Sequence, residues 1–120
     1  LERQPVQFLY RDDMCHFMRL DTYEQLALTP EAVGEQERFL KDGLEVQILF
    51  DGAHPVSVEF PDFVELTVAR TDPGVKGDTV SGGPKPADLE TGATVQVPLF
   101  INEGDVVRID TRTGGHVSRV

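Results

Sequence analysis

Cys15-His16 sets a thiol beside an imidazole, the pairing that a nucleophile and its general base require. On a strand, neighbouring side chains point to opposite faces, so these two cannot meet and catalysis there is not expected. Asp12-Asp13 offers carboxylates for a metal, but it sits where a hairpin turn needs polar residues. A single cysteine excludes an intrachain disulfide and a thiolate zinc site, and no metal is expected. The segment 71–92 gathers Pro73, Gly74, Gly77, Gly82, Gly83, Pro84, Pro86 and Gly92. So long a turn-forming stretch inside a small domain is uncommon and often functional. It lacks the Gly-Lys-Ser/Thr ending that cradles phosphate and magnesium. Gly77-Asp78-Thr79 within it reads, by itself, as a turn. Arg112 and Arg119, with Arg108 and His116, form either a weak basic patch or a set of ordinary solvated charges. Phe8, Phe17, Phe50, Phe60 and Phe63 could stack bases, although core filling is the simpler role. Tyr10 and Tyr23 are the better exposed candidates.

These residues need strands to position them. Val6, Phe8 and Tyr10 alternate with Gln7, Leu9 and Arg11, and Cys15, Phe17 and Arg19 alternate after the Arg11-Asp12-Asp13 turn. That pattern predicts a β-hairpin. Thr29-Pro30-Glu31 supplies an N-cap, a first-turn proline and an acid, so a short helix through Val33, Phe39 and Leu40 is expected, stopped at Gly43 and weakened by Gly34 within it. Strands follow over Leu44 to Phe50 and Pro55 to Phe60, hinged at Asp51-Gly52. This order fits a small five-stranded barrel closed by a helix, as in OB-folds, with an SH3-like barrel as runner-up. Beyond Phe60-Pro61-Asp62 come a strand from Phe63 to Arg70 and further strands over Ala93–Phe100, Asp105–Asp110 and His116–Arg119. The reading is all-β: two consecutive five-stranded OB-fold-like β-barrels, residues 1–64 and 65–120, the first with one short helix.

Composition narrows the function classes. With 39% apolar and 27% charged residues, the chain is expected to fold and to be soluble. No apolar run approaches the roughly 18 residues of a membrane span, and no signal peptide is visible, so a cytoplasmic protein without a membrane partner is expected. The opening on Leu1 rather than Met suggests a piece of a longer chain. The net charge of −10 argues against a protein that tracks phosphates electrostatically, and no DNA partner is expected. The acid load is uneven. Residues 1–64 hold five basic and thirteen acidic side chains, against six and eight in 65–120.

The second half carries a run of spaced motifs: Asp72-Pro73-Gly74-Val75-Lys76-Gly77-Asp78-Thr79, Gly82-Gly83-Pro84-Lys85-Pro86-Ala87, Leu89-Glu90-Thr91-Gly92-Ala93, Val95 to Ile101, and Asp110-Thr111-Arg112-Thr113-Gly114. This run closely resembles the C-terminal domain of the bacterial elongation factor P family or a close paralogue. The family signature is matched by Lys85, Ala87, Gly92, Val97, Pro98 and Gly104. The first half resembles the family's middle domain through Phe8-Leu9-Tyr10, Phe17-Met18 and Thr22-Tyr23-Glu24-Gln25.

The resemblance implies two OB-like barrels. It also implies a non-enzymatic translation factor, without cofactor and monomeric, that binds the ribosome between the peptidyl and exit sites and aids peptide-bond formation at proline runs. The family's N-terminal domain, with its modified basic residue, has no counterpart here. The implied partners are ribosomal RNA, the peptidyl-site tRNA and mRNA near the exit-site codon. The family's Gly-Asp-Thr loop approaches that codon and maps to Gly77, Asp78 and Thr79. Glycine permits close backbone approach, and Asp and Thr offer an acceptor and a donor to base edges or a 2′-hydroxyl. Lys76 and Lys85 flank it as phosphate contacts, with Arg112 and Arg119 as further RNA candidates. The rival reading is a protein-interaction module of OB-like barrels, docking through the segment 71–92 and an exposed Phe100-Ile101 end.

Overall fold

A computed structural model describes residues 1–73 and 83–120. The chain divides into two compact units, Leu1–Pro61 and Asp62–Val120. Residues 62–64, grouped with the first unit on sequence, therefore lie in the second. There Phe63 opens a strand and the Asp62 carbonyl accepts from the Thr111 amide at 2.9 Å.

In the first unit, β1 (Glu2–Arg11), β2 (Cys15–Arg19), β3 (Gln25–Leu28), β4 (Glu45–Asp51) and β5 (His54–Glu59) form one curled antiparallel sheet in the order β3-β2-β1-β4-β5. The expected alternation places Val6, Phe8, Cys15, Phe17, Val46 and Ile48 inside. Each such side chain contributes about 1.5–3 kcal/mol by leaving water. Phe8 and Phe17 face each other across the β1–β2 pair and meet edge to face, with centroids 5.6 Å apart.

The helix is shorter than its sequence pattern suggests. Thr29 caps it, its hydroxyl accepting from the Ala32 amide at 3.2 Å, and α1 spans only Pro30–Val33. Gly34 ends it at φ 96°, where a Cβ would be strained, and the chain resumes as a 3₁₀ segment, Glu35–Phe39. Gly43, expected as the stop, lies instead in the turn before β4, at φ 88°.

The second unit contains β6 (Phe63–Thr71), β7 (Lys85–Leu89), β8 (Thr94–Val97), β9 (Val106–Asp110) and β10 (Gly115–Arg119), ordered β10-β9-β6-β7-β8. Val64, Leu66 and Val68 point inward with Val107 and Ile109. β8 ends before Pro98, which has no amide to extend the ladder. Both units are thus curled five-stranded antiparallel sheets with little helix, as the OB-like reading expects.

Bulges explain why Tyr10, Val56 and Val117 are left outside. In β1 the register steps from Phe8↔Phe17 to Tyr10↔His16, leaving Leu9 as the extra residue. The strand changes phase there, so Tyr10 does not follow Val6 and Phe8 inward. Instead its ring stacks on His16 at 4.2 Å. The same step skips Val56 in β5 and Val117 in β10, and both side chains are exposed.

Candidate RNA interface

The β6–β7 hairpin positions the segment that the sequence singles out. Lys76, Gly77, Asp78 and Thr79 lie outside the described residues, between β6 and β7. Thr71 pairs with Ala87, and the Thr71 hydroxyl donates to the Pro86 carbonyl at 2.8 Å. Lys85 opens β7 with only 5% of its surface exposed, and its ammonium donates to the Asp72 carbonyl. A phosphate contact is expected at Lys85 from the sequence; the structure gives its ammonium a partner within the protein. Its ammonium is turned inward and ties the two ends of the hairpin connection together. The signal was present in the sequence: Lys85 is in phase with Ala87 and Leu89, which both face the core.

The other signature residues also act on the fold. Ala87 and Val97 are buried, and Gly92 and Gly104 turn at φ 91° and 88°. The Gly104 amide donates to the Val68 carbonyl at 2.9 Å, fixing a turn against β6.

Arg112 and Arg119 are not one patch. The β9–β10 register puts Asp110 opposite Gly115 and Val107 opposite Arg119, so the two arginines sit toward opposite ends of the hairpin. Arg112 grips both Asp110 carboxylate oxygens, at 3.1 and 2.9 Å, and stands 5.5 Å over the Phe63 ring. That grip holds the Asp110 carboxyl below its ordinary value. Arg119 lies 3.8 Å from Asp105 and 5.2 Å over Phe100. Arg108 pairs with Glu65 at 3.1 Å. These guanidiniums remain solvent-accessible, yet each arrives already paired, which weakens any claim on phosphate. Of the Phe100-Ile101 pair, only Phe100 is exposed; Ile101 is in the core.

His116 is the residue that sequence reasoning undervalued. Its Nε2 is buried and has no hydrogen-bond partner among the described residues. Burial pushes the imidazole below its ordinary value of 6.5. The unfolded chain therefore takes up that proton more readily. The stability tied to neutral His116 is complete above pH 6.5 and is lost as pH falls toward the folded value. The second unit should unfold at lower urea in mild acid than at neutrality, and His116→Phe should flatten that dependence. A ring titration by NMR at or above 6.5 would contradict it.

In the first unit, Cys15 is buried, its thiol 3.8 Å from Glu37 and pushed up by burial. His16 points the other way, its Nε2 2.9 Å from Asp12. Asp12 also accepts from the Met14 amide at 2.8 Å, which makes it a turn residue. No group of three or more metal-ligating side chains exists among the described residues, and no helix there is long and apolar enough to cross a membrane.

Comparison with known proteins agrees with this architecture. The family model for the Elongation factor P (EF-P) OB domain matches residues 1–58, and that for Elongation factor P, C-terminal, matches residues 64–119. Elongation factor P of Natranaerobius thermophilus is 50% identical over 121 residues, covering 100% of this chain and 64% of its own length. That of Coprothermobacter proteolyticus is 52% identical over 121 residues, covering 100% of this chain and 65% of its own. The chain thus spans somewhat less than two thirds of the relatives it matches. With both models aligned in order and half its residues shared with these relatives, the chain belongs to the elongation factor P family, of which it holds the OB domain and the C-terminal domain.

Proposed function

We propose that this chain is the part of a translation elongation factor that docks on the ribosome between the peptidyl and exit sites, where the whole factor promotes peptide-bond formation at proline runs. The observation that carries the reading is the ordered match of both family domains along the chain. Gly77, Asp78 and Thr79 read the exit-site codon of the mRNA, with Lys76 beside them. Arg112 and Arg119 contribute secondary contacts to ribosomal RNA or peptidyl-site tRNA. Lys85 serves by closing the base of the segment. The protein acts as a cytoplasmic monomer and performs no covalent chemistry of its own.

An acidic chain of net charge −10 meets RNA at selected points and is otherwise repelled by it. Its affinity should therefore fall shallowly with salt, with a slope of about two to four phosphates rather than the roughly six to ten of a strongly electrostatic binder. The test is co-sedimentation with ribosomes that hold peptidyl-site tRNA and a vacant exit site. Asp78→Ala/Thr79→Ala should bind about tenfold more weakly, in keeping with the loss of one or two polar contacts. A steep salt slope, or equal binding by the double variant, would refute the role given to this segment.

A further inference from the structure

We propose that the cleft between the two edge strands of the first sheet, together with the Tyr23 turn beside it, is a docking surface for a basic extended segment of a protein partner. β3 and β5 end the sheet order and have no further strand paired to them among the described residues. A cleft of about 300 Å³ draws its lining from both edges, with Leu26 and Ala27 from β3, Pro55 from β5, and Phe50 and Ala53 from β4 and the turn after it. Arg19, Glu24 and Gln25 complete the wall.

Tyr23 immediately precedes Glu24. It is 70% exposed and is the one non-glycine residue with positive φ, 63°, among those described. That conformation is costly for a tyrosine. The surrounding turn enforces it: Tyr23 N–H donates to the Arg19 carbonyl at 2.9 Å, Arg19 N–H donates to the Glu24 carbonyl at 2.8 Å, and Thr22 N–H donates to the Asp21 carboxylate at 2.8 Å. A turn of this geometry is easier to build with Gly or Asn, and the ring gains nothing from burial. A large amphipathic ring held rigidly in water beside an apolar cleft is instead the kind of group that dominates protein contacts.

Charge selects the partner. The cation at the cleft, Arg19, is held by both Asp21 oxygens at 3.2 and 3.3 Å, and Glu24 stands in the same wall. With Glu24 in the cleft wall, two carboxylates therefore meet one already neutralised guanidinium. RNA phosphates would be repelled here. A lysine or arginine side chain would gain both the carboxylates and the face of Tyr23.

The experiment titrates this chain with a short Gly-Arg repeat peptide, a Gly-Glu repeat peptide and an oligouridylate, reading backbone amide shifts. The Gly-Arg peptide should move Glu24, Gln25, Ala27 and Ala53, and the other two should not. Tyr23→Asn should weaken binding about tenfold while unfolding at the same denaturant concentration or higher, and Tyr23→Phe should retain binding. Shifts spread over other acidic surfaces, oligouridylate occupying these residues, unchanged affinity of Tyr23→Asn, or its reduced stability would each overturn the proposal. None of these readings depends on whether the chain binds ribosomes.

Discussion

Phe17→Ala should cost the first unit about 3–5 kcal/mol, the range for deleting a fully buried phenylalanine ring. Phe17 has no exposed surface, lies opposite Phe8 in the β1–β2 register, and meets that ring edge to face at 5.6 Å. The void would open at the centre of the sheet, where neighbouring strands cannot collapse into it without breaking their ladders. Units of about 60 residues are marginally stable, so this loss is comparable to the whole stability of the fold. The measurable result is loss of amide protection along β1, β2 and β4. Phe63→Ala is the control. Phe63 is 46% exposed, and its removal should shift stability by no more than about 0.5 kcal/mol. Equal effects at the two sites would mean that the packing assigned to Phe8 and Phe17 is wrong.

Lys85→Ala should destabilise the second unit by about 2–4 kcal/mol, from the lost aliphatic packing and the lost charge-assisted bond to the Asp72 carbonyl. Lys85→Met restores the packing but not the bond, so the gap between the two variants separates those contributions. Urea unfolding followed through β7 amides gives the stability, and ribosome co-sedimentation gives the affinity. A lysine that spends its ammonium on the protein changes the first measurement before the second. If Lys85→Ala lowered affinity at unchanged stability, the ammonium would be a contact after all.

Most strands were legible because their apolar residues alternate, and the turns because Arg11-Asp12-Asp13 and Asp51-Gly52 break that alternation in known ways. The length of the helix was not legible. Gly34 can sit within a helix at modest cost or end it at positive φ, and composition does not choose between them. The bulges were hidden for a related reason, since a single added residue looks like an ordinary strand position. For the candidate interface, the sequence singled out the segment 71–92 but not the strand β7 within it, nor the direction of its lysine. It also grouped Arg112 with Arg119 by proximity along the chain, where antiparallel pairing carries them to different ends.

The bulges have a consequence for how such a chain can change in length. Each is a place where the side-chain phase has already slipped once. Removing Leu9 would make β1 regular while leaving Val6 and Phe8 seated and Tyr10 still opposite His16. Removing a residue between Val6 and Phe8 would instead invert part of the strand that the core depends on. Single-residue insertions and deletions among relatives should therefore gather at Leu9, Val56, Ala69 and Val117, the four positions among the described residues where the ladder already tolerates a miscount.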